Sequence, residues 1–116
     1  MPNFQELRVY KNAIKLLALV DELVEQIPRG HAQRCDQLER AAESVIRNIA
    51  EGSGRWSPAD SAKHYKIARG EVMECAGSLD VLLVRRLIDA QRHGELTLLV
   101  DIIIKQLSKM IVQLQV

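Results

Sequence analysis

Apolar residues recur every three or four positions along almost the whole of this chain, and that period leaves little choice but helices lying side by side. The first series runs Leu7, Tyr10, Ala13, Ile14, Leu17, Val20, Val24 and Ile27. The second runs Leu38, Ala41, Ala42, Val45, Ile46 and Ile49, and the third Ala62, Tyr65, Ala68, Val72, Cys75, Ala76, Leu79, Leu82 and Leu83. The fourth runs Leu96, Leu99, Ile102, Ile103, Leu107, Met110, Ile111 and Leu114. Each series gathers on one side of a helix, and a one-sided helix must cover that side with another element. Aromatic residues make up only 3% of the 116 residues. The core is therefore aliphatic, without the Tyr and Phe that strands favour.

Local signals divide the series. Pro28 and Gly30 stop the first helix, because proline cannot continue it and glycine relaxes the backbone. Gly52-Ser53-Gly54 ends the second as a cap and turn. In Ser57-Pro58-Ala59-Asp60, Ser57 suits an N-cap, Pro58 the first helical position, and Asp60 the positive end of the helix. Asp89 is placed to cap the fourth helix. The expected helices are thus about 5–27, 33–52, 58–86 and 90–114, in one domain over residues 1–116. Short links between long helices favour antiparallel neighbours. The expected fold is all-α, an up-down-up-down antiparallel four-helix bundle.

Some residues fit that scheme less simply. Gly70 and Gly77 lie inside helix three, each costing about 1 kcal/mol relative to alanine. Close approach of a neighbouring helix is the expected reason. Gly94 predicts a frayed or separate first turn in helix four. That helix also carries Leu98, Val100, Ile104 and Val112 off its main stripe. A helix apolar around much of its circumference is covered on more than one side, so self-association is expected.

Several function classes lose support. Net charge is +1, from 16 basic and 15 acidic residues, so binding of nucleic acid by bulk charge is excluded. Cys35 and Cys75 fall in apolar series and read as buried free thiols. No apolar run approaches the ~20 residues of a membrane span. The first residues lack a charged region followed by an apolar one, so a cytoplasmic protein is expected. His31, His64 and His93 are scattered, and neither Cys-x-x-Cys nor His-Glu-x-x-His occurs. Glu71 and Glu74 have no histidine three residues on, as a core di-metal site would need. Gly52-Ser53-Gly54 lacks the Lys-Ser/Thr ending and preceding strand of a phosphate loop. No catalytic residue, metal or cofactor is expected.

The segment Asn48-Ile49-Ala50-Glu51-Gly52-Ser53-Gly54-Arg55 stands out. Asn48 and Glu51 are polar residues at the end of an apolar helix. Arg69, opposite them in a hairpin of helices two and three, could pair with Glu51 and fix the register of the two, and the alternative reading is a binding pocket near the turn. Arg47, Arg55, Lys63, Lys66 and Arg69 gather loosely around the same turn, diluted by Asp60, Glu71 and Glu74. Trp56 among them reads either as a packing plug or as a platform for a nucleic-acid base.

These residues resemble a known family. Phe4-Gln5-Glu6-Leu7-Arg8-Val9-Tyr10-Lys11-Asn12-Ala13 is similar to its Phe-x-x-Leu-x-Val-Trp-x-x-Ala opening. Gln37 to Val45, Asn48-Ile49-Ala50-Glu51-Gly52 with Arg55, and Ala68-Arg69-Gly70-Glu71 followed by Glu74 continue the match. The family is the S23-type four-helix bundle of proteins encoded in bacterial 23S rRNA intervening sequences. It also includes the accessory protein of diversity-generating retroelements. The resemblance implies a bundle that assembles as a ring, typically a homopentamer, with Asn48, Glu51, Gly52, Arg69 and Gly70 as its structural signature. Retroelement accessory members bind nucleic acid and a reverse transcriptase through a basic surface. This chain departs from the pattern by its near-neutral charge and by Ile46 and Arg47, in a run where the family often has proline. The expected function is a non-enzymatic ring-forming scaffold or adaptor with a protein or RNA partner. The alternative is direct nucleic-acid binding through Arg47, Arg55, Lys63 and Lys66.

Overall fold

The computed structural model describes residues 3–115. Four α-helices account for most of them: α1 Arg8–Glu25, α2 Ala32–Ser53, α3 Pro58–Val84 and α4 Ala90–Leu114. Each of α2, α3 and α4 packs on the helix before it, and α4 also closes against α1. The helices therefore stand at the corners of a square, with α1 diagonal to α3. The result is the expected up-down-up-down bundle, 44 Å long and about half as wide.

The helix ends follow from their residues. Phe4–Glu6 winds as a tight 3₁₀ turn capped by the Asn3 side chain, so α1 begins later than its apolar series. The Phe4 ring sits edge-on to Tyr10, with centroids 5.1 Å apart. Ser57 Oγ accepts from the Asp60 amide at 3.1 Å, with Pro58 in the first turn. Asp89 Oδ1 accepts from the Arg92 amide at 2.7 Å. Both caps satisfy amides that a helix start leaves without partners. At the end of α3, Arg86 takes φ 61°. Its amide bonds Leu83 O, and the Leu87 amide bonds Leu82 O, each at 2.9 Å. This paired closure usually places glycine in the left-handed position, and here an arginine holds it.

The interior is aliphatic. Leu16 and Leu23 from α1, Leu38 and Ile49 from α2, Leu79 and Leu82 from α3, and Leu96, Ile103 and Leu107 from α4 are fully buried. Burying each such side chain contributes about 1.5–3 kcal/mol. No polar or charged side chain is buried among the described residues.

Three expectations need correction. Gly70 and Gly77 do not face a neighbouring helix, for a Cβ added at either would meet nothing within 4 Å. The close approach is at Gly52, where an added Cβ would lie 2.6 Å from Tyr65 Cε1. Gly94 does not separate a first turn, since α4 runs unbroken from Ala90. The surplus of apolar surface is not confined to α4 either. There Val100 is buried and Ile104 half-buried, leaving Leu98, Ile102 and Val112 exposed, while α3 exposes Ile67, Met73, Val81 and Val84.

Candidate functional site

The end of α2 and the start of α3 bring the singled-out residues together. Gly52 lies inside the last turn of α2, and the ring of Tyr65 covers it. Any larger residue would force the Tyr65 ring or the helices themselves to shift, so the glycine lets α3 pack this closely. Burial also raises the Tyr65 hydroxyl above the ordinary tyrosine range.

Next to that contact runs a polar network. Asn48 Nδ2 donates to Ser44 O at 2.9 Å and to Ser44 Oγ at 3.1 Å, which fixes its amide. Its Oδ1 then faces His64 Nδ1 of α3 at 3.4 Å. The same ring nitrogen lies 3.4 Å from Glu51 Oε2, and Arg55 Nη2 donates to that oxygen at 3.2 Å. Two oxygens converging on Nδ1 favour the tautomer with its proton there. His64 is mostly covered, with 15% of its side chain exposed, whereas Glu51 is largely open to solvent.

The expected Glu51–Arg69 pair is therefore not the one that forms. Arg69 instead donates from Nε to Ser108 Oγ of α4 at 2.9 Å. It lies on the α4 side of α3, turned away from the α2 junction. The register of α2 against α3 is held by His64, a residue that sequence reasoning passed over as one of three scattered histidines. Spacing in one chain gives no sign of which side of α3 meets α2. Gly70, the other glycine of the signature, has no role inside the bundle that its surroundings reveal.

The four candidate nucleic-acid contacts are all exposed. Arg47 is bonded to Glu43 at 3.3 Å, as Arg55 is to Glu51. Lys66 borders an open recess of about 550 Å³ between the start of α3 and the last residues of α4, with Ala62 and Leu114. Lys63 has no ion-pair partner among the described residues. Trp56 is not a plug: the residue is 102% exposed, as open as in an extended peptide. Its position in the turn leaves both faces of the ring accessible.

Cys35 and Cys75 are free and buried, as expected. Desolvation, helped by Glu71 and Glu74, pushes the Cys75 thiol up to about 12. Desolvation, with Glu39 and Asp36, also raises Cys35. Neither is a poised nucleophile, since the thiolate is the reactive form. Among the described residues no three His, Cys, Asp or Glu side chains come together as a metal site would need. No helix among them is long and apolar enough to cross a membrane.

Known proteins place this arrangement. A solved structure from Bacteroides thetaiotaomicron VPI-5482, described as a protein of unknown function from the S23 ribosomal protein family, superposes with a TM-score of 0.83. It is 21% identical, and the match covers 89% of this chain and 97% of that one. At that identity the likeness speaks for the bundle alone. No curated protein matches the chain. Residues 5–109 match the sequence pattern of the family described as 23S rRNA-intervening sequence protein. That span takes in the opening of α1, the α2–α3 junction and most of α4, and this chain belongs to the 23S rRNA-intervening sequence protein family.

Proposed function

We propose that this protein is a non-enzymatic scaffold, a ring-forming homo-oligomer such as a pentamer that presents a repeated surface to a protein or RNA partner. The observation that carries this reading is the apolar surface left outside a completed core. Val84 is 81% exposed, Leu98 65% and Val112 61%, although the bundle beneath them is fully packed. Val81 and Val84 on α3, and Leu98 and Ile102 on α4, lie one turn apart, and large side chains held open to water on neighbouring turns mark surfaces that meet another molecule. Thiols held protonated by burial, and a Glu51 already paired with Arg55, favour a role without catalysis. Light scattering after size-exclusion chromatography tests the reading. A multiple of the 13.1 kDa chain mass is expected, and a monomer at micromolar concentration overturns it.

Direct nucleic-acid binding is the second reading, and the open indole of Trp56 is what favours it. An unshielded ring beside Arg55 suits stacking on an unpaired base, which contributes about 1–3 kcal/mol per base. Repetition around an oligomer would multiply a weak contact. Filter binding of single-stranded RNA across a salt series tests it. Trp56→Ala should weaken binding roughly tenfold or more at low salt. Equal binding by both proteins, or none by either, removes this reading.

A further inference from the structure

Two partly apolar surfaces on opposite sides of the bundle differ in the charge their own helices carry, although Arg34 and Arg85 border the hollows of the first. On α3, the stretch from Gly70 to Val84 contains Glu71, Glu74 and Asp80 and no lysine or arginine. Its outward side is Gly70, Met73, Gly77, Val81 and Val84, at three-and-four spacing, with the three large residues exposed. Gly77 meets nothing within 4 Å, and beside it Glu74, Ser78 and Val81 border a recess of about 380 Å³ shared with Arg34 and Gln37 of α2. A second hollow follows at Val81, Val84 and Arg85. An exposed helix face with glycines is destabilised for no internal gain, but it lets another helix come close.

The opposite side is the seam between α1 and α4. Here α1 carries Arg8, Lys11 and Lys15 between Leu7 and Val20, without an acidic residue. From Ile102 to Gln115, α4 carries Lys105 and Lys109, again without one. A bond from Asn12 Nδ2 to Gln106 Oε1, 3.0 Å long, sets the two stretches side by side. Arg8 and Lys109 border one recess of the seam, and Lys15 borders another with the exposed Leu98 and Ile102. Glu95 stands in that second recess, Lys11 is tied to Glu6, and Asp80 across the bundle is tied to His93. Lys15, Lys105, Lys109, Glu71 and Glu74 have no ion-pair partner among the described residues.

We propose that the outward face of α3 is a docking surface for the α1–α4 seam of a second copy of this chain. The seam supplies projecting leucine and isoleucine and unpaired lysines. The α3 face supplies a glycine-floored hollow and unpaired glutamates. Because the two patches differ and lie on opposite sides, each copy uses one to hold the next and keeps the other for the copy behind. Contacts of this heterologous kind close into rings when the rotation allows. The inference rests on the self-association proposed above and names the faces that perform it.

Charge reversal tests it. One variant combines Glu71→Lys with Glu74→Lys, the other Lys15→Glu with Lys109→Glu. Circular dichroism first establishes that both fold. Each alone should assemble at least roughly tenfold more weakly by light scattering, because like charges then face each other. In an equimolar mixture each variant brings one native face and the reversed faces match, so mixed oligomers should form where neither variant alone assembles, with one mismatched contact left in any odd-numbered ring. A wild-type monomer overturns both this inference and the scaffold reading. A wild-type oligomer that either variant leaves intact, or whose loss the mixture does not repair, overturns the inference and spares the scaffold. A folding failure turns the test to mixed cysteine variants, Val81→Cys with Leu98→Cys, joined by a short bis-maleimide. Dimers should form only in the mixture, and dimers of either variant alone, or none in the mixture, overturn the contact. Loss of polyuridylate binding by Lys15→Glu/Lys109→Glu with assembly unchanged assigns the seam to nucleic acid instead.

Discussion

The α2–α3 junction and the α1–α4 seam are both contacts between antiparallel neighbours, yet they are built differently. At the junction a glycine admits an aromatic ring, and a histidine ties Asn48 and Glu51 of α2 to α3. Along the seam one amide–amide bond joins Asn12 to Gln106, and hollows open on either side of it. Of the four adjacent pairs, α2 with α3 packs most extensively and α1 with α4 least. A bundle needs only some of its seams sealed from within. The tight pair fixes the fold, and the loose pair leaves side chains free to meet something else.

That contrast can be broken most severely at Gly52. Gly52→Ala forces a methyl group into the Tyr65 ring, and overpacking of this kind costs about 1–3 kcal/mol or somewhat more where neither side can shift. Urea unfolding should report a loss near the top of that range, whereas Gly77→Ala should leave stability unchanged or improved. Equal effects of the two would show that the junction is not the rigid element. His64→Ala should cost about 1–2 kcal/mol through lost packing and hydrogen bonds, and Asn12→Ala only about 0.5–1. A larger loss at Asn12 would reverse the ranking of the two contacts. The smallest effect is expected at Glu39, on the α1 side of α2. Partial burial, then the facing carboxyl of Asp21, with Asp36 and Glu43, raises its pKa above the ordinary carboxylate value. A raised carboxylate pKa favours the folded state below that pKa and weakens it as the pH rises through it. Glu39→Gln should therefore be slightly more stable than the parent at pH 7, with the gain shrinking toward pH 4. A gain that grows in acid would contradict the cause assigned.

The fold was legible because its determinants are periodic and local. Four apolar stripes announce four helices, and Ser57-Pro58 and Asp89 mark starts that hydrogen bonds later satisfy. What escaped depends on rotation about a helix axis. Whether Arg69 or His64 meets α2 is decided by how α3 is turned in the bundle, and a one-dimensional pattern does not record it. The surplus apolar surface of α3 was hidden for a related reason. Met73, Val81 and Val84 interleave with the core stripe, so a long helix with two greasy sides looks merely greasy. The outward glycines were misassigned because cost in a helix reveals that a reason exists, not on which side it lies. Trp56 was ambiguous because a turn residue can fold either way, and here it points into solvent.

Burial of the two thiols gives the molecule its own clock. A sulfhydryl held at about 12, with none of its surface exposed, is invisible to a disulfide reagent until α3 swings away from its neighbours. The pace at which the reagent labels Cys75 in native buffer therefore times the breathing of the bundle, with no reporter engineered into the chain. Any partner that clasps α3 from outside will slow that clock, so occupancy of the surface can be read from within.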